Sequence, residues 1–318
     1  MSEAMRKTIN QASDKPVKGP VKGPVNKPVK GPVNKPVNKP VSKPVKEPLN
    51  KPLVKPMSRI AGAFENRKAF IAFITGGDPD LETTEKLIPA MAEAGADLIE
   101  IGIPFSDPVA EGIVIQEADK RALGNGCNTD RLFDMVKRIR LKTDVPLLFM
   151  TYLNPILVYG KELFMRHCSK CGIDGLIVPD LPFEEKDELA GVCGKYGVEL
   201  ISMIAPTSKE RIEIIAREAQ GFLYCVSSLG VTGVRSSISE DIGKLVQKVR
   251  EVTDVPCAIG FGVSTPEQAG LMARLSDGAI VGSAIVKLIA EYGKNSLGPV
   301  TEYIRAMKKG MDDAIRLN

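Results

Sequence analysis

The sequence has only one histidine, His167, in 318 residues, so it cannot build a metal site from several imidazoles, as a metal-dependent aldolase requires. None of the strand-like runs described below contains a lysine, which excludes a Schiff-base nucleophile on a strand. No apolar run is long enough to cross a membrane, and no transmembrane helix is predicted. Residues 75–79 read TGGDP rather than GxGxxG, so a dinucleotide turn is also missing. We therefore expect no metal centre and no dinucleotide cofactor.

Residues 1–57 contain almost no large apolar side chains and carry proline at every fourth position from Pro16 to Pro56. Each proline fixes φ and keeps the preceding residue extended, which predicts a disordered, solvated tail without a core. The tail holds twelve Lys and one Arg against three acidic residues, so the rest of the chain has a net charge of −6. We interpret the tail as a spacer, with an arm that contacts polyanions as the alternative; nucleic-acid binding by the domain is not expected.

Six cysteines are spread over residues 58–318 and no secretory signal precedes them. This pattern is typical of reduced thiols in a cytoplasmic protein. Cys168 and Cys171 form a CxxC pair without a second pair at zinc-finger spacing, so we interpret them as small apolar residues near a helix end.

Strand-like runs alternate with amphipathic segments along residues 58–318. The predicted strands are 69–75, 97–103, 146–151, 174–179, 198–204, 221–227, 256–260 and 278–281. Helical spacing predicts helices between them, including 82–94, 130–139, 184–196, 210–219, 240–252 and 266–275. Eight strands with intervening helices predict one domain over 58–318, an eight-stranded parallel (β/α)8 TIM barrel; a doubly wound open sheet is the rival fold.

Glu100 lies in the middle of the second apolar run, directly before the turn 104–108 (PFSDP). A lone carboxylate there should face a low-dielectric interior, where it is costly unless its pKa moves or a partner meets it. A structural pair with a buried Lys or Arg is the alternative, but the strand runs supply no such cation. We therefore predict that Glu100 is a general acid/base at the carboxyl end of a strand.

Further candidate residues fall at the ends of the predicted strands, where a barrel places its active site. Gly262 and Gly282 follow strands seven and eight, twenty residues apart, and a helix is predicted to begin at Ser283. Backbone N–H groups in these two glycine turns predict a phosphate site, while the alternative is that the glycines only close tight turns. Glu111 supplies a second carboxylate after Glu100. Residues 230–233 (GVTG) form a polar loop that could close over a phosphate, and Phe73, Met150, Tyr152, Ile177 and Tyr224 could line an apolar pocket.

Six segments together resemble the alpha subunit of tryptophan synthase over essentially all of residues 60–318. They are 73–79 (FITGGDP), 100–108 (EIGIPFSDP), 150–155 (MTYLNP), 230–233 (GVTG), 260–262 (GFG) and 282–286 (GSAIV). The resemblance implies a TIM-barrel lyase that cleaves indole-3-glycerol phosphate to indole and glyceraldehyde 3-phosphate without a cofactor. It also implies a pyridoxal-phosphate-dependent beta subunit as partner, in an α2β2 heterotetramer.

By the same resemblance each site residue receives a role. Glu100 is the principal acid/base, and Glu111 is the carboxylate that meets the indole N–H. The phosphate is bound by Gly233, Gly262, Gly282 and Ser283, with Thr232 beside them. The indole pocket is lined by Phe73, Tyr152 and Tyr224.

The sequence departs from the family pattern at three loop positions. Glu111 stands where an Asp is usual, Ile113 where a Pro is usual, and Ser228 where many relatives have a basic residue. These changes bear on loop closure and rate more than on the reaction type. Two other functions stay open: a non-catalytic activating partner of a beta subunit, and another phosphate-binding barrel of aromatic amino-acid synthesis.

Overall fold

A computed structural model describes residues 58–205, 211–226, 235–260 and 262–316 of the chain. Its strands are β1 Ala69–Thr75, β2 Leu98–Gly102, β3 Leu147–Met150, β4 Gly175–Ile177, β5 Glu199–Leu200, β6 Ser202–Ile204, β7 Leu223–Val226, β8 Cys257–Gly260 and β9 Gly278–Val281. Its helices are α1 Arg59–Phe64, α2 Leu81–Glu93, α3 Ile113–Gly124, α4 Thr129–Ile139, α5 Leu153–Tyr159, α6 Lys161–Cys171, α7 Asp187–Tyr196, α8 Ile212–Arg217, α9 Arg235–Arg250, α10 Pro266–Leu275, α11 Ser283–Tyr292 and α12 Leu297–Arg316.

The strands form one parallel sheet in the order β5-β4-β3-β2-β1-β9-β8-β7-β6. The two edge strands are consecutive in the chain, because β5 pairs with β4 and β6 pairs with β7. Residues 199–204 thus pass from one edge of the sheet to the other and nearly close it into a barrel. The predicted TIM barrel is confirmed, and the predicted fifth strand, 198–204, is two short strands that meet at Ile201.

Side chains alternate between two apolar layers along each strand, as the two-residue period of a strand requires. Phe70, Ala72 and Ile74 of β1 face the helices, together with Ile99 and Ile101 of β2. Ile71 of β1 and Leu98 of β2 fill the barrel interior, where they join Leu148, Ile177, Phe222, Ala258 and Ile280. Glu100 has the parity of Leu98 and therefore belongs to the interior side.

The short helix α1 closes the end of the barrel where the strands begin. Its residues Ile60, Ala63 and Phe64 belong to the interior cluster, and the Phe64 and Phe222 rings lie 5.6 Å apart. A Cβ added to Gly175 would lie 2.9 Å from Ile60 Cδ1, so the glycine makes room for this helix. The opposite end of the barrel carries the loops that follow the strands.

Helix boundaries follow the capping signals of the sequence. Asp80 and Asn128 accept hydrogen bonds from the first turns of α2 and α4, and Thr265 forms a capping box with Gln268 at α10. Glycines with positive φ end α6 and α7 at Gly172 and Gly197, a common way for a helix to terminate.

Three predicted helices differ from those observed. The predicted helix 184–196 is α only from Asp187, because a 3-10 turn covers Phe183–Glu185. The predicted helix 210–219 is shorter, Ile212–Arg217, and the predicted helix 240–252 is replaced by α9, which begins earlier and ends at Arg250.

Candidate active site

Glu100 lies on β2, between Phe73 of β1 and Leu148 of β3 in the strand register. Its side chain is fully buried, and neither carboxyl oxygen has a hydrogen-bond partner among the described residues. Burial raises the pKa of Glu100 to about 8, because a low-dielectric site disfavours the charged form. At neutral pH this carboxyl is therefore mostly protonated, and it can both give and take a proton near pH 7.

Tyr224 lies on the interior side of β7 and packs on the barrel core. Burial and the nearby Glu100 carboxylate raise the pKa of its hydroxyl well above the usual value. A Cβ at Gly260 would lie 2.7 Å from Tyr224 Cε1, so the bare backbone of β8 makes room for this ring. The structure thus brings Tyr224 next to the candidate acid.

Phe73 connects the acid on β2 with the glycine turn that precedes α11. A Cβ at Gly102 would lie 2.8 Å from the Phe73 ring, and one at Gly282 would lie 3.2 Å from it. Phe73 has the parity of Ile71 on β1, and it also packs with Ile115 of α3 and Val286 of α11. An apolar ring at this position, 6% exposed, is suited to the wall of a pocket for a flat aromatic group.

Glu111 lies in the loop between β2 and α3, where burial raises the pKa of its carboxyl. Its Oε2 atom is buried and has no hydrogen-bond partner in the described part of the chain. Tyr152 supports the same loop, because its hydroxyl accepts a hydrogen bond of 2.9 Å from the Ala110 N–H and its ring lies 5.4 Å from that of Phe105. Tyr152 therefore contacts the loop that carries Glu111, a contact that the sequence did not predict.

Asp119 was missed by the sequence analysis. It is 4% exposed on α3, and its carboxyl is hydrogen-bonded to Glu111 and to the Phe105 backbone. Burial, with the charge and the hydrogen bond of Glu111, raises the pKa of Asp119 to about 8. The signal that could have found it is its spacing, since it shares a helix face with Ile115, Ala118 and Ala122.

The two glycine turns follow neighbouring strands. The register pairs Ala258 of β8 with Gly278 of β9 and Ile259 with Ala279, so Gly262 and Gly282 both come after the carboxyl ends of adjacent strands. Gly262 has φ +76°, a conformation that favours glycine. The Ile285 and Val286 N–H groups donate to the Gly282 carbonyl, so the N–H groups of Ser283 and Ala284 precede the first bonds of α11 and can meet an anion.

Thr232, Gly233 and Ser228 lie outside the described residues. No group of three or more His, Cys, Asp or Glu side chains in the described ranges is arranged to hold a metal ion. Likewise, no helix within those ranges is long and apolar enough to span a membrane.

A parallel barrel with an isolated, buried acid and two glycine turns after its last two strands is typical of the class of phosphate-binding (β/α)8 barrel enzymes. The model of one family, described as tryptophan synthase alpha chain, matches residues 61–316. The tryptophan synthase alpha chain of Lacticaseibacillus casei is 46% identical over 256 residues, covering 80% of this chain and 96% of the relative. The chain therefore belongs to the tryptophan synthase alpha chain family.

Solved structures agree with this assignment. Tryptophan synthase subunit alpha from Legionella pneumophila superposes with a TM-score of 0.74 at 36% identity, covering 81% of this chain and 100% of that one. A structure of the tryptophan synthase α2β2 complex from Pyrococcus furiosus superposes with a TM-score of 0.70 at 35% identity, covering 76% of this chain and 98% of that one.

Proposed function

We propose that Glu100 is the acid/base of an indole-3-glycerol-phosphate lyase, which releases indole and glyceraldehyde 3-phosphate in tryptophan biosynthesis. This lyase reaction is the activity of the family to which the chain belongs. The single observation that carries the assignment of Glu100 is its carboxyl, fully buried and without a hydrogen-bond partner in the described part of the barrel. An unpaired acid at such a site is costly to the fold and is explained by a ligand that meets it.

The raised pKa of Glu100, about 8, allows one group to carry out both proton transfers. The protonated carboxyl gives its proton to C3 of the indole ring. The resulting carboxylate takes the proton of the side-chain hydroxyl as the bond between C3 and the glycerol carbon breaks. The electrons of that bond return to the indole ring, the hydroxyl carbon becomes the aldehyde, and Glu100 ends protonated as it began. Neither transfer calls for a cofactor.

Glu111 supplies the electrostatic part of this mechanism. Protonation at C3 turns the ring into an indolenine with positive charge near its nitrogen, and a carboxylate close to the indole N–H stabilises that charge. The Glu111 carboxyl, in the loop between β2 and α3, is the group suited to this contact.

The remaining residues bind and orient the substrate in this proposal. Gly262, Gly282 and the first turn of α11 at Ser283 hold the phosphate, with Thr232 and Gly233 added from the loop after β7. Phe73 and Tyr224 contact the indole ring. Tyr152 acts indirectly, because its hydroxyl accepts a hydrogen bond from the Ala110 N–H in the loop that carries Glu111.

The chain works with a tryptophan synthase beta subunit, as alpha chains in solved complexes do. We place the contact on the rim where β2 and β3 end, which presents four exposed apolar side chains: Val109, Ile113, Leu157 and Val158. We also propose a cytoplasmic location, which is supported by six cysteines that are all buried as free thiols.

Glu100→Gln tests the assignment, because it keeps the side-chain volume and removes the titratable group. We expect the variant to fold and bind substrate, and its indole release to fall by about 10²–10⁴-fold, the range for general acid–base catalysis. Glu111→Gln should also lower turnover, but less. Glu93→Gln, at an exposed position near the end of α2, is the matched control and should keep the parent rate.

Indole release by Glu100→Gln at the parent rate would overturn the role of Glu100. A parent chain that releases no indole, alone or with a beta subunit, while still activating that subunit, would instead support the non-catalytic partner.

A further inference from the structure

Asp119 is an acid on the apolar face of a helix. It shares the buried face of α3 with Ile115, Ala118 and Ala122, while its neighbour Glu117 is exposed and paired with Lys120. A carboxyl that is 4% exposed is costly unless it is neutral or well paired. The question is which of these two conditions holds here.

The partners of Asp119 are the Glu111 carboxyl and the Phe105 backbone. Arg121, two residues further along α3, is already paired, because it donates to both oxygens of the buried Asp78, each at 2.8 Å. Lys287 and Glu291 on the neighbouring α11 are exposed. The titratable groups on the elements around the pair are Asp78, Arg121, Cys127, Tyr152, Lys287 and Glu291. Among the described residues none of these groups is a cation in contact with Asp119, which favours a shared proton as the means of stabilising the pair.

The two carboxyls share a proton. Burial raises the pKa of both groups, and the charge and the hydrogen bond of Glu111 raise that of Asp119 further, to about 8. Two acids in contact titrate as a unit, and here the unit holds one proton at neutral pH.

We propose that Asp119 is a positioning residue for the lyase reaction: its carboxyl shares a proton with that of Glu111 and holds the Glu111 side chain in place at the site. This inference rests on the role proposed for Glu111. A Glu side chain with three rotatable bonds loses conformational freedom when it is ordered. A partner fixed on α3 orders it before the substrate arrives, so the developing positive charge meets a carboxyl group that is already in place.

A double-mutant cycle tests whether Asp119 acts through Glu111. Asp119→Ala should lower kcat roughly 10- to 100-fold, the equivalent of one hydrogen bond to a charged group, with little change in KM. In a Glu111→Gln background the same substitution should cause no further loss, because the group it positions is gone. Glu117→Gln on the exposed face of α3 is the matched control and should keep the parent kcat.

Asp119→Asn separates the hydrogen bond from the proton. The amide can still donate to Glu111, so it should recover most of the activity that Asp119→Ala loses. It cannot ionise, however, so the fall of kcat above pH 8 should become less steep. In the parent, both Glu100 and Asp119 lose protons there; in the variant only Glu100 does.

The outcomes distinguish this inference from the proposed function. Parent kcat in Asp119→Ala, or a loss that adds fully to that of Glu111→Gln, would overturn the positioning role and leave Glu111 in place. Parent kcat in Glu111→Gln would overturn the role of Glu111 itself. If Asp119→Ala does not fold, the pH profile of Asp119→Asn decides, and an unchanged alkaline slope counts against the proposal.

Discussion

At the scale of single residues, Glu100 makes the folded state sensitive to pH. Its pKa is raised from 4.5 to about 8 in the fold, so the folded protein keeps a proton that the unfolded chain gives up in this interval. Stability from this group is complete below pH 4.5 and is lost as pH rises towards 8. Ionisation of Glu100 therefore works against folding.

We expect Glu100→Gln to have a larger free energy of unfolding than the parent. The difference should grow as the pH rises from 4.5 to 8 and stay constant above pH 8. The margin at the upper end is at most about 5 kcal/mol, the equivalent of the pKa shift. Urea unfolding of both proteins at pH 4, 6, 7 and 9 measures it, and Glu93→Gln serves as the control without a margin. A difference that stays constant with pH would contradict the raised pKa.

The sequence allowed some site residues to be predicted and not others, for a physical reason. Glu100 stands alone in an apolar strand run, where strand periodicity directs it inward whatever the rest of the fold does. Asp119 stands among Glu117, Lys120 and Arg121, and only the phase of α3 shows that it is buried. The contact of Tyr152 with Ala110 joins residues 42 positions apart, which no local pattern encodes.

At the scale of elements, the strands were predictable because each is an apolar run bounded by turns, and β1 and β9 have the predicted bounds. The fifth run reads as one strand, but its two halves pair with different neighbours. That break follows from barrel closure, a property of the whole sheet. Helix α1 was not predicted either, since a six-residue helix owes its stability to packing rather than to propensity.

Helix α1 should stabilise the barrel without taking part in the chemistry. We expect Ile60→Ala to lower the free energy of unfolding by about 2–5 kcal/mol, because Ile60 is fully buried among the starts of the strands. KM and kcat should stay near the parent values at temperatures where the variant is folded, since the site lies at the opposite rim. Leu141→Ala, at a position 88% exposed, is the control. An unchanged melting temperature in Ile60→Ala would show that α1 does not hold the barrel closed.

At the scale of the whole molecule, the matched family region begins at residue 61, and the repeat of residues 1–57 precedes it. With proline at every fourth position and few large apolar side chains, the repeat should contribute little to the free energy of folding. We predict that a chain beginning at Ser58 keeps the melting temperature and the rate of indole formation of the full chain. A several-fold loss of either would show that the repeat contacts the barrel or its partner.

Association with the beta subunit should depend on the apolar side chains at the rim. Val109 and Val158 are 84% and 81% exposed, an arrangement that exposes apolar area to water until a partner covers it. Val109 follows β2 and Val158 lies on α5 after the adjacent β3, so both stand at the end of the barrel that carries the site.

We expect the chain and a pyridoxal-phosphate-dependent beta subunit to co-elute at micromolar concentration and to form indole faster together than apart. Val109→Asp and Val158→Asp should each weaken association about tenfold or more, because a charge buried without a partner is costly. Leu141→Asp is the matched control, since Leu141 is as exposed but follows α4 at the end where the strands begin. Equal affinity of all three variants for the beta subunit would show that the interface lies elsewhere. A parent chain that neither co-elutes with the beta subunit nor forms indole faster with it would contradict the partnership itself.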